Sequence, residues 1–189
     1  MTDYINYLEY LESRSLIGKF YRNYYLYPKL NRYLKGNLLD VGCGIGDMLI
    51  YRSNSIGVDI NPLAVEFCKQ RGCEAYEMST DMLPFENSSF DSVLLDNVLE
   101  HLKEPIPLIK EIKRVMRKKA VLLIGVPGAK GQLADLDHKV FHDEQSLNSL
   151  AIDLGFNVNV MLYAPLWKSE YLSRIISQYC IYSQWSLID

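Results

Sequence analysis

Short apolar runs alternate with amphipathic stretches along most of the chain. The runs have the length of buried strands, and the stretches between them repeat apolar residues at helical spacing. Strands are predicted at residues 38–42, 55–60, 73–78, 90–97, 120–127 and 157–163. Such alternation is typical of βαβ units, so the pattern predicts an α/β fold with a doubly wound, mainly parallel sheet flanked by helices. Ligands of such sheets bind beyond the carboxyl ends of the strands.

Helices are predicted around these strands, at residues 46–52, 62–72, 104–118 and 143–156. The second of them has a clear start, with Asn61 as N-cap and Pro62 at the first helical position. Residues 4–34 are predicted to form one or two further helices with aromatic faces. We therefore expect an N-terminal helical cap over residues 1–35 and one compact domain over residues 36–189.

Three glycines, Gly42, Gly44 and Gly46, occupy alternate positions directly after the first strand. Glycine permits positive φ and lets a ligand approach the backbone closely. A dinucleotide fingerprint, GxGxxG/A, is the obvious interpretation, but its last position holds Asp47, whose carboxylate would repel a pyrophosphate at the helix N-terminus. With Asp40 before the loop, the pattern DxGxGxG favours a ligand that has an adenosine, no phosphate and a cationic end. S-adenosylmethionine is such a ligand.

Two further acids follow the next strands. Asp59 ends the second strand, 17 residues after Gly42, where an acid accepts hydrogen bonds from ribose hydroxyls in doubly wound nucleotide sites. Asp81 follows the third strand. There, polar groups would contact the edge of an adenine ring, and apolar side chains such as Ile60 and Met82 would cover its faces. These positions predict an adenosine site at the carboxyl edge of the sheet.

Four segments occur in a characteristic order: LLDVGCGIGD, GVDINP, DMLPFENSSFDSVLLDNVLEHL and AVLLIGVPG. Together they resemble the class I S-adenosylmethionine-dependent methyltransferases, and most closely the methyltransferase type 11-like branch that includes ubiquinone/menaquinone-pathway enzymes and many small-molecule and sugar methyltransferases. The resemblance covers residues 36–163. It implies a Rossmann-like sheet of seven strands, with an antiparallel seventh strand in YCIYSQWSLI after a helix near residues 168–177.

The resemblance also implies S-adenosylmethionine as the cofactor and S-adenosylhomocysteine as the product. The cofactor-binding residues predicted in this way are Asp40, Gly42, Gly44, Gly46, Asp59, Ile60, Asp81, Met82, Asp96 and Asn97. Asp96 and Asn97, at the end of the fourth strand, would lie near the reactive methyl group. The alternatives are that Asp81 is a helix N-cap and that Asp96 or Asn97 caps the turn before residues 98–103.

The chain has three histidines that are candidates for catalysis: His101, His138 and His142. Transfer to a hydroxyl usually benefits from a general base, whereas a nitrogen or thiolate acceptor needs none. His138 and His142, in DHKVFHDEQSL, follow the fifth strand and are expected on the acceptor side, while His101 in VLEHL is equally compatible with a structural role. Hydrogen bonding within the loop is the alternative for the other two. DHxxFH lacks the spacing and companions of a zinc site, so no metal is predicted.

The segment FYRNYYLYPKLNRYL, residues 20–34, is rich in tyrosine and basic residues. N-terminal helices of the resembled family often cover the cofactor and shape the acceptor pocket. Tyr21, Arg22, Tyr24 and Tyr25 are candidates for that role, and packing of the helix on the sheet is the alternative for each.

Composition narrows the function classes. The formal net charge is −3 and the basic stretches are short, so a general nucleic-acid binder is not expected. The four cysteines fit neither a CxxC metal site nor a disulfide framework, so we expect reduced thiols and a cytoplasmic location. No apolar stretch approaches the roughly 18 residues of a membrane span, and no stable membrane insertion is expected.

The sequence thus predicts a methyltransferase that acts on a small-molecule or carbohydrate- or glycolipid-type acceptor, with no nucleic-acid partner. The alternative from another class is a non-catalytic S-adenosylmethionine-binding protein with a regulatory or assembly role. A nicotinamide dehydrogenase is opposed by Asp47 and by the missing GxGxxG/A pattern.

Overall fold

The structure of the protein is a computed structural model that describes residues 4–5 and 15–188. The first part of the predicted N-terminal helical region, residues 6–14, lies outside the described residues. The division into a cap over residues 1–35 and a domain over residues 36–189 stays a prediction.

A seven-stranded sheet forms the centre of the fold, which confirms the predicted fold class. Its strands are β1 (Leu38–Val41), β2 (Ser55–Asp59), β3 (Ala75–Glu77), β4 (Phe90–Asp96), β5 (Met116–Pro127), β6 (Phe156–Ala164) and β7 (Cys180–Leu187). The strand order is β3-β2-β1-β4-β5-β7-β6. The strands β1 to β5 pair in parallel, whereas β7 is antiparallel to both β5 and β6.

Helices cover both faces of this sheet. They are α1 (Leu16–Tyr21), α2 (Tyr27–Asn31), α3 (Asp47–Tyr51), α4 (Pro62–Gln70), α5 (Ile106–Val115), α6 (Ala129–Gln132), α7 (Glu144–Asp153) and α8 (Glu170–Ile175). A π-helical turn, Arg22–Leu26, joins α1 to α2, and a 3₁₀ turn, Leu99–His101, follows β4. Neither turn is predicted by the sequence pattern, because single turns carry no periodic signal of their own.

The predicted helix over residues 104–118 is wrong at its end, because β5 begins at Met116. Met116 is buried and pairs with Phe90, whereas the three basic residues after it, at positions 117–119, are exposed. Those charges are typical of the last turn of a solvated helix. Here they lie on the exposed first part of a strand.

The two faces of the sheet bury separate apolar clusters. One face packs against α5 and α7, and its cluster includes Ile112 and Leu147. On the other face, α2 packs Tyr27 and Leu30 against strand residues such as Leu38. Helix α2 is therefore part of the core of the domain, whereas α1 has no buried residue. Tyr21 of α1 and Tyr27 of α2 lie next to the carboxyl ends of β1 and β4.

The C-terminal strand β7 lies within the sheet. It carries Trp185, which is fully buried and packs on Phe156 with ring centroids 5.6 Å apart. The indole N–H of Trp185 donates to the hydroxyl of Ser183 at 2.7 Å, so the buried polar atom is satisfied. All four cysteines are free thiols. Among the described residues, no helix is long and apolar enough to cross a membrane.

The two tryptophans of the chain provide a test of this packing. Trp185→Ala should lower the free energy of unfolding by about 3–5 kcal/mol, because it removes a fully buried aromatic side chain. Trp167→Ala is the matched control, since Trp167 is 67% exposed and its loss should change stability by no more than about 0.5 kcal/mol. Urea denaturation measures both values. Equal and small effects would mean that β7 is not a core strand.

Candidate active site

A cavity of about 530 Å³ opens at the carboxyl ends of β1 and β4. At this point the strand order reverses direction, which is where doubly wound sheets bind ligands. The lining comes from the ends of both strands, from the loop after β1, and from Tyr21 and Arg22 of the N-terminal helical segment. The volume falls in the range of about 300–1,000 Å³ that holds small-molecule ligands and cofactors.

The loop after β1 has the backbone that its glycines predict. Gly42 has φ +75°, and a Cβ atom at this position would lie 2.4 Å from Cγ2 of Val98. Gly46, with φ +76°, is the N-cap of α3. A residue with a side chain would therefore strain the loop, and at Gly42 it would also collide with the turn after β4.

The carboxylate of Asp59 ties this loop to the end of β2. It accepts a hydrogen bond from the backbone N–H of Gly44 at 2.8 Å through Oδ2, and one from the N–H of Asn61 at 2.8 Å through Oδ1. Burial raises the pKa of Asp59, although the hydrogen bonds from Asn61 and Gly44 act in the opposite direction. Each oxygen keeps a further acceptor position, so the carboxylate can still accept from a ligand hydroxyl.

The predicted cofactor residues fall into two groups. Those that line the cavity are Asp40, Gly42, Gly44, Asp96 and Asn97. Those that do not are Gly46, Asp59, Ile60, Asp81 and Met82. The second group includes the exposed side chains of Ile60 and Met82 at the edge of β2 and β3, and Asp59 adjoins the cavity through its bond to Gly44.

Asp81 lies in a turn closed by a bridge between Ser79 and Met82, and the Ser79 hydroxyl donates to its carboxylate at 3.3 Å. No helix of the described chain begins at Asp81, so the N-cap alternative is wrong. Asn97 has φ +54° and donates from its side chain to Asp96 at 3.0 Å, and both side chains belong to the cavity wall.

Acidic side chains surround the glycine loop. Burial raises the pKa of Asp40 to about 8, and the nearby charges of Asp96, Asp59 and Asp47 add to this shift. Asp47 also forms an ion pair with Arg71 at 3.4 Å. Carboxylates that raise one another's pKa in a partly closed cavity favour a positively charged ligand.

Only two of the four candidate residues in the N-terminal segment reach the cavity. Tyr21 and Arg22 line it, whereas Tyr24 and Tyr25 are exposed. The Tyr25 hydroxyl instead donates to the backbone carbonyl of Pro165, which fixes the segment to the end of β6. The π-helical turn begins at Arg22, and such turns often occur at functional positions.

Of the three candidate histidines, two line the cavity and one does not. His101 and His138 line the cavity and meet edge to face with ring centroids 4.8 Å apart. His142 is buried and does not line the cavity, and this burial lowers its pKa. The structure therefore brings His101 and His138 to the candidate site and leaves His142 outside it.

Glu100 lies beside these two imidazoles and was not predicted. Its side chain is completely buried, and burial raises its pKa to about 8, with smaller contributions from Asp96 and Asp135. The backbone N–H groups of Lys139 and Val140 donate to the Glu100 carbonyl at 2.8 and 3.1 Å, which anchors the His138 loop. The sequence signal is the acid in VLEHL, directly before His101.

Comparisons with known proteins agree with this geometry. Residues 39–124, which contain the glycine loop, Asp59 and the end of β4, match the family described as methyltransferase domain. The match spans 86 of the 189 residues, and the motifs within it resemble the class I S-adenosylmethionine-dependent methyltransferases. The cofactor of this class is S-adenosylmethionine. The more specific ubiquinone/menaquinone-like branch stays a prediction.

The fold of the chain is similar to that of a Thermotoga maritima S-adenosylmethionine-dependent methyltransferase, a possible histamine N-methyltransferase. The TM-score is 0.76 at 18% identity, with 97% of this chain and 99% of that chain covered. This likeness establishes the fold.

Relatives in sequence differ in what their names say they act on. A human protein named probable tRNA methyltransferase 9B is 33% identical over 53% of this chain and 24% of its own length. A Mycobacterium ulcerans protein named probable phthiotriol/phenolphthiotriol dimycocerosates methyltransferase 2 is 34% identical over 42% of this chain and 35% of its own length. The chain spans about half the length, or less, of the curated relatives it matches first.

The acidic side chains around the glycine loop predict that ligand affinity depends on pH. S-adenosylmethionine and S-adenosylhomocysteine share an amino group, but only the former has a sulfonium charge. Because the pKa of Asp40 is raised to about 8, its carboxyl is largely neutral at pH 6 and charged at pH 9. The affinity for S-adenosylmethionine, relative to that for S-adenosylhomocysteine, should therefore increase about three- to tenfold as the pH rises through 8. This change corresponds to a shift of about half to one unit in the pKa of Asp40.

Calorimetry with both ligands between pH 6 and pH 9 measures this ratio, and the shared amino group cancels. Asp40→Asn should remove the pH dependence, because the asparagine side chain does not titrate. A ratio that does not change with pH in the unmodified protein would contradict the role given to Asp40.

Proposed function

We propose that the chain is a methyltransferase that transfers the methyl group of S-adenosylmethionine to a small-molecule or sugar-linked acceptor. One observation carries this proposal: a single cavity joins the glycine loop and its acids to a second set of polar side chains, His101 and His138, from other segments. A cofactor site without an acceptor site would not need this second wall.

The residues present fit S-adenosylmethionine. The bare backbone at Gly42 and Gly44 leaves room at the end of β1, and Asp40 and Asp96 supply the negative charge that a sulfonium and an ammonium require. Asp59 would bind the ribose hydroxyls. The exposed side chains of Ile60 and Met82, with Asp81, would flank the adenine.

Bound S-adenosylmethionine supplies a methyl group on a sulfur that is already positively charged. The work left to this chain is to hold the acceptor in line with that methyl group and to exclude water. Tyr21 and Arg22 would close the cavity from the N-terminal side. Asp96 and Asn97 would lie between the two walls, and His101 and His138 would contact the acceptor.

The charge of the chain supports a small acceptor over a polynucleotide. The formal net charge is −3, and the cavity itself is acidic. Proteins that bind nucleic acid gain most of their affinity from basic side chains that neutralise phosphates. The relative named as a tRNA methyltransferase makes RNA the acceptor to test against this proposal.

Calorimetry and a turnover assay test the proposal together. The protein should bind S-adenosylmethionine and S-adenosylhomocysteine and should not bind NAD. Incubation with S-adenosylmethionine and pools of hydroxylated small molecules, sugars and glycolipids should release S-adenosylhomocysteine above the acceptor-free rate, whereas transfer RNA should not. Binding without turnover on any pool would favour the non-catalytic alternative, and tight NAD binding would contradict the cofactor.

Asp59→Asn should weaken cofactor binding by about 1–3 kcal/mol, because charge-assisted hydrogen bonds to two ribose hydroxyls lose their charge and the new amide NH2 faces one of the backbone N–H groups of Gly44 and Asn61. The exposed Asp153 provides the matched control, and Asp153→Asn should leave the affinity unchanged. Calorimetry with S-adenosylhomocysteine measures both variants. Equal affinities would show that the ribose is held elsewhere.

A further inference from the structure

The buried carboxylate of Glu100 requires an explanation. Its side chain has no exposed surface, and neither carboxylate oxygen has a hydrogen-bond partner on any other described residue. A buried polar group without a partner is costly, and a buried carboxylate more so. Such a group indicates a ligand that completes the site.

The neighbouring imidazole has the separation that a shared ion produces. His138 Nε2 lies 3.8 Å from Glu100 Oε1 and 3.9 Å from Asp135 Oδ2. Both distances are too long for a hydrogen bond. Two ligand atoms that each bind one cation at about 2.0–2.2 Å lie about 3–4.3 Å apart, depending on the angle.

Both histidines have their other ring nitrogen occupied. His101 Nδ1 lies 3.0 Å from Asp137 Oδ2, and His138 Nδ1 lies 3.2 Å from the backbone carbonyl of Gln132. When Nδ1 donates to an oxygen, Nε2 carries the free electron pair. Histidines that bind metals nearly always have such an oxygen partner on the second nitrogen.

We propose that Glu100, His101 and His138 bind a divalent first-row metal ion inside the cavity. One ligand atom from each of the three residues lies within 4.8 Å of the other two. Two imidazoles and a carboxylate suit Zn²⁺, Fe²⁺ or Mn²⁺ and leave coordination positions open. The three residues are called the EHH cluster below.

The proposal also narrows the acceptor class, and this part rests on the proposed function. An ion at the EHH cluster would bind an acceptor hydroxyl and lower its pKa. The O–H bond breaks and releases its proton to solvent, the oxygen forms a bond to the methyl carbon, and the C–S bond breaks with its electron pair going to sulfur. His101 and His138 are then metal ligands, and the acceptor is a hydroxyl compound.

Metal binding can be measured without any acceptor. The full chain is treated with a chelator, and Zn²⁺ and Mn²⁺ are titrated separately by calorimetry. We expect one ion per chain. Glu100→Gln and His138→Gln should weaken binding more than Asp137→Asn, which alters only the oxygen partner of His101 and should cost roughly 10–100-fold. Glu104→Gln, the same change at an exposed glutamate, should bind like the unmodified protein.

Two readouts guard against variants that do not fold. Zn²⁺ should raise the melting temperature of the unmodified protein and of Glu104→Gln but not that of Glu100→Gln. Pulsed electron paramagnetic resonance of the Mn²⁺-loaded unmodified protein should show coupling to imidazole nitrogen. No binding by the unmodified protein, equal binding by Glu100→Gln and Glu104→Gln, or Mn²⁺ without nitrogen coupling would each overturn the metal site.

A parallel titration with S-adenosylhomocysteine separates the two proposals. The metal-free protein should bind it with the same affinity as the metal-loaded protein within about threefold, because Asp59 and the glycine loop lie outside the EHH cluster. Cofactor binding without metal binding would overturn the metal site alone. Metal binding without cofactor binding would overturn the proposed function and leave the metal site in place.

Discussion

The hydrogen bonds of one buried carboxylate, Asp59, hold the carboxyl edge of the sheet together. They join the loop after β1, the end of β2 and the start of α4 through the N–H groups of Gly44 and Asn61. A different conformation of the loop would leave one oxygen of this buried carboxylate and the N–H of Gly44 without partners, which costs more than the bond itself contributes. The glycine loop is therefore fixed in shape before any ligand binds.

The cavity next to this loop has two chemically different ends. Carboxylates dominate the glycine-loop end, where burial raises the pKa of Asp40 and the charge of Asp96 adds to this shift. The imidazoles of His101 and His138 line the other end, and the carboxylate of Glu100 is buried beside them. A cation and a hydroxyl compound placed at the two ends would meet within one enclosure, and this is the arrangement that a displacement reaction between them requires.

Features that depend on neighbouring residues could be predicted from the sequence. The strands could be predicted from short apolar runs. The glycine loop and Asp59 could be placed together because they follow the first two strands, and strand ends in a parallel sheet share one edge. The end of α5 could not be predicted, since the basic residues after Met116 suit a helix end and an exposed strand equally well.

The part of the site that contains the histidines could not be predicted, because it is formed by contacts between residues far apart in the sequence. Glu100 is an acid in a short turn and carries no sign of complete burial, which arises only when the loop of Lys139 and Val140 closes over it. His138 and His142 are four positions apart, yet only His138 reaches the cavity. Which histidine does so is decided by the path of an irregular loop, and no periodic pattern encodes such a path.

The position of β7 has a consequence for the order in which the molecule can assemble. Strand β6 pairs with β7 and with no other strand of the described chain. Chains are synthesised from the N-terminus and tend to fold in that direction. The strands β1 to β5 can pair while synthesis proceeds, but β6 must wait with both edges unpaired until residues 180–187 leave the ribosome. During that interval the nascent chain exposes one edge of β5 and both edges of β6 to other polypeptides and to chaperones.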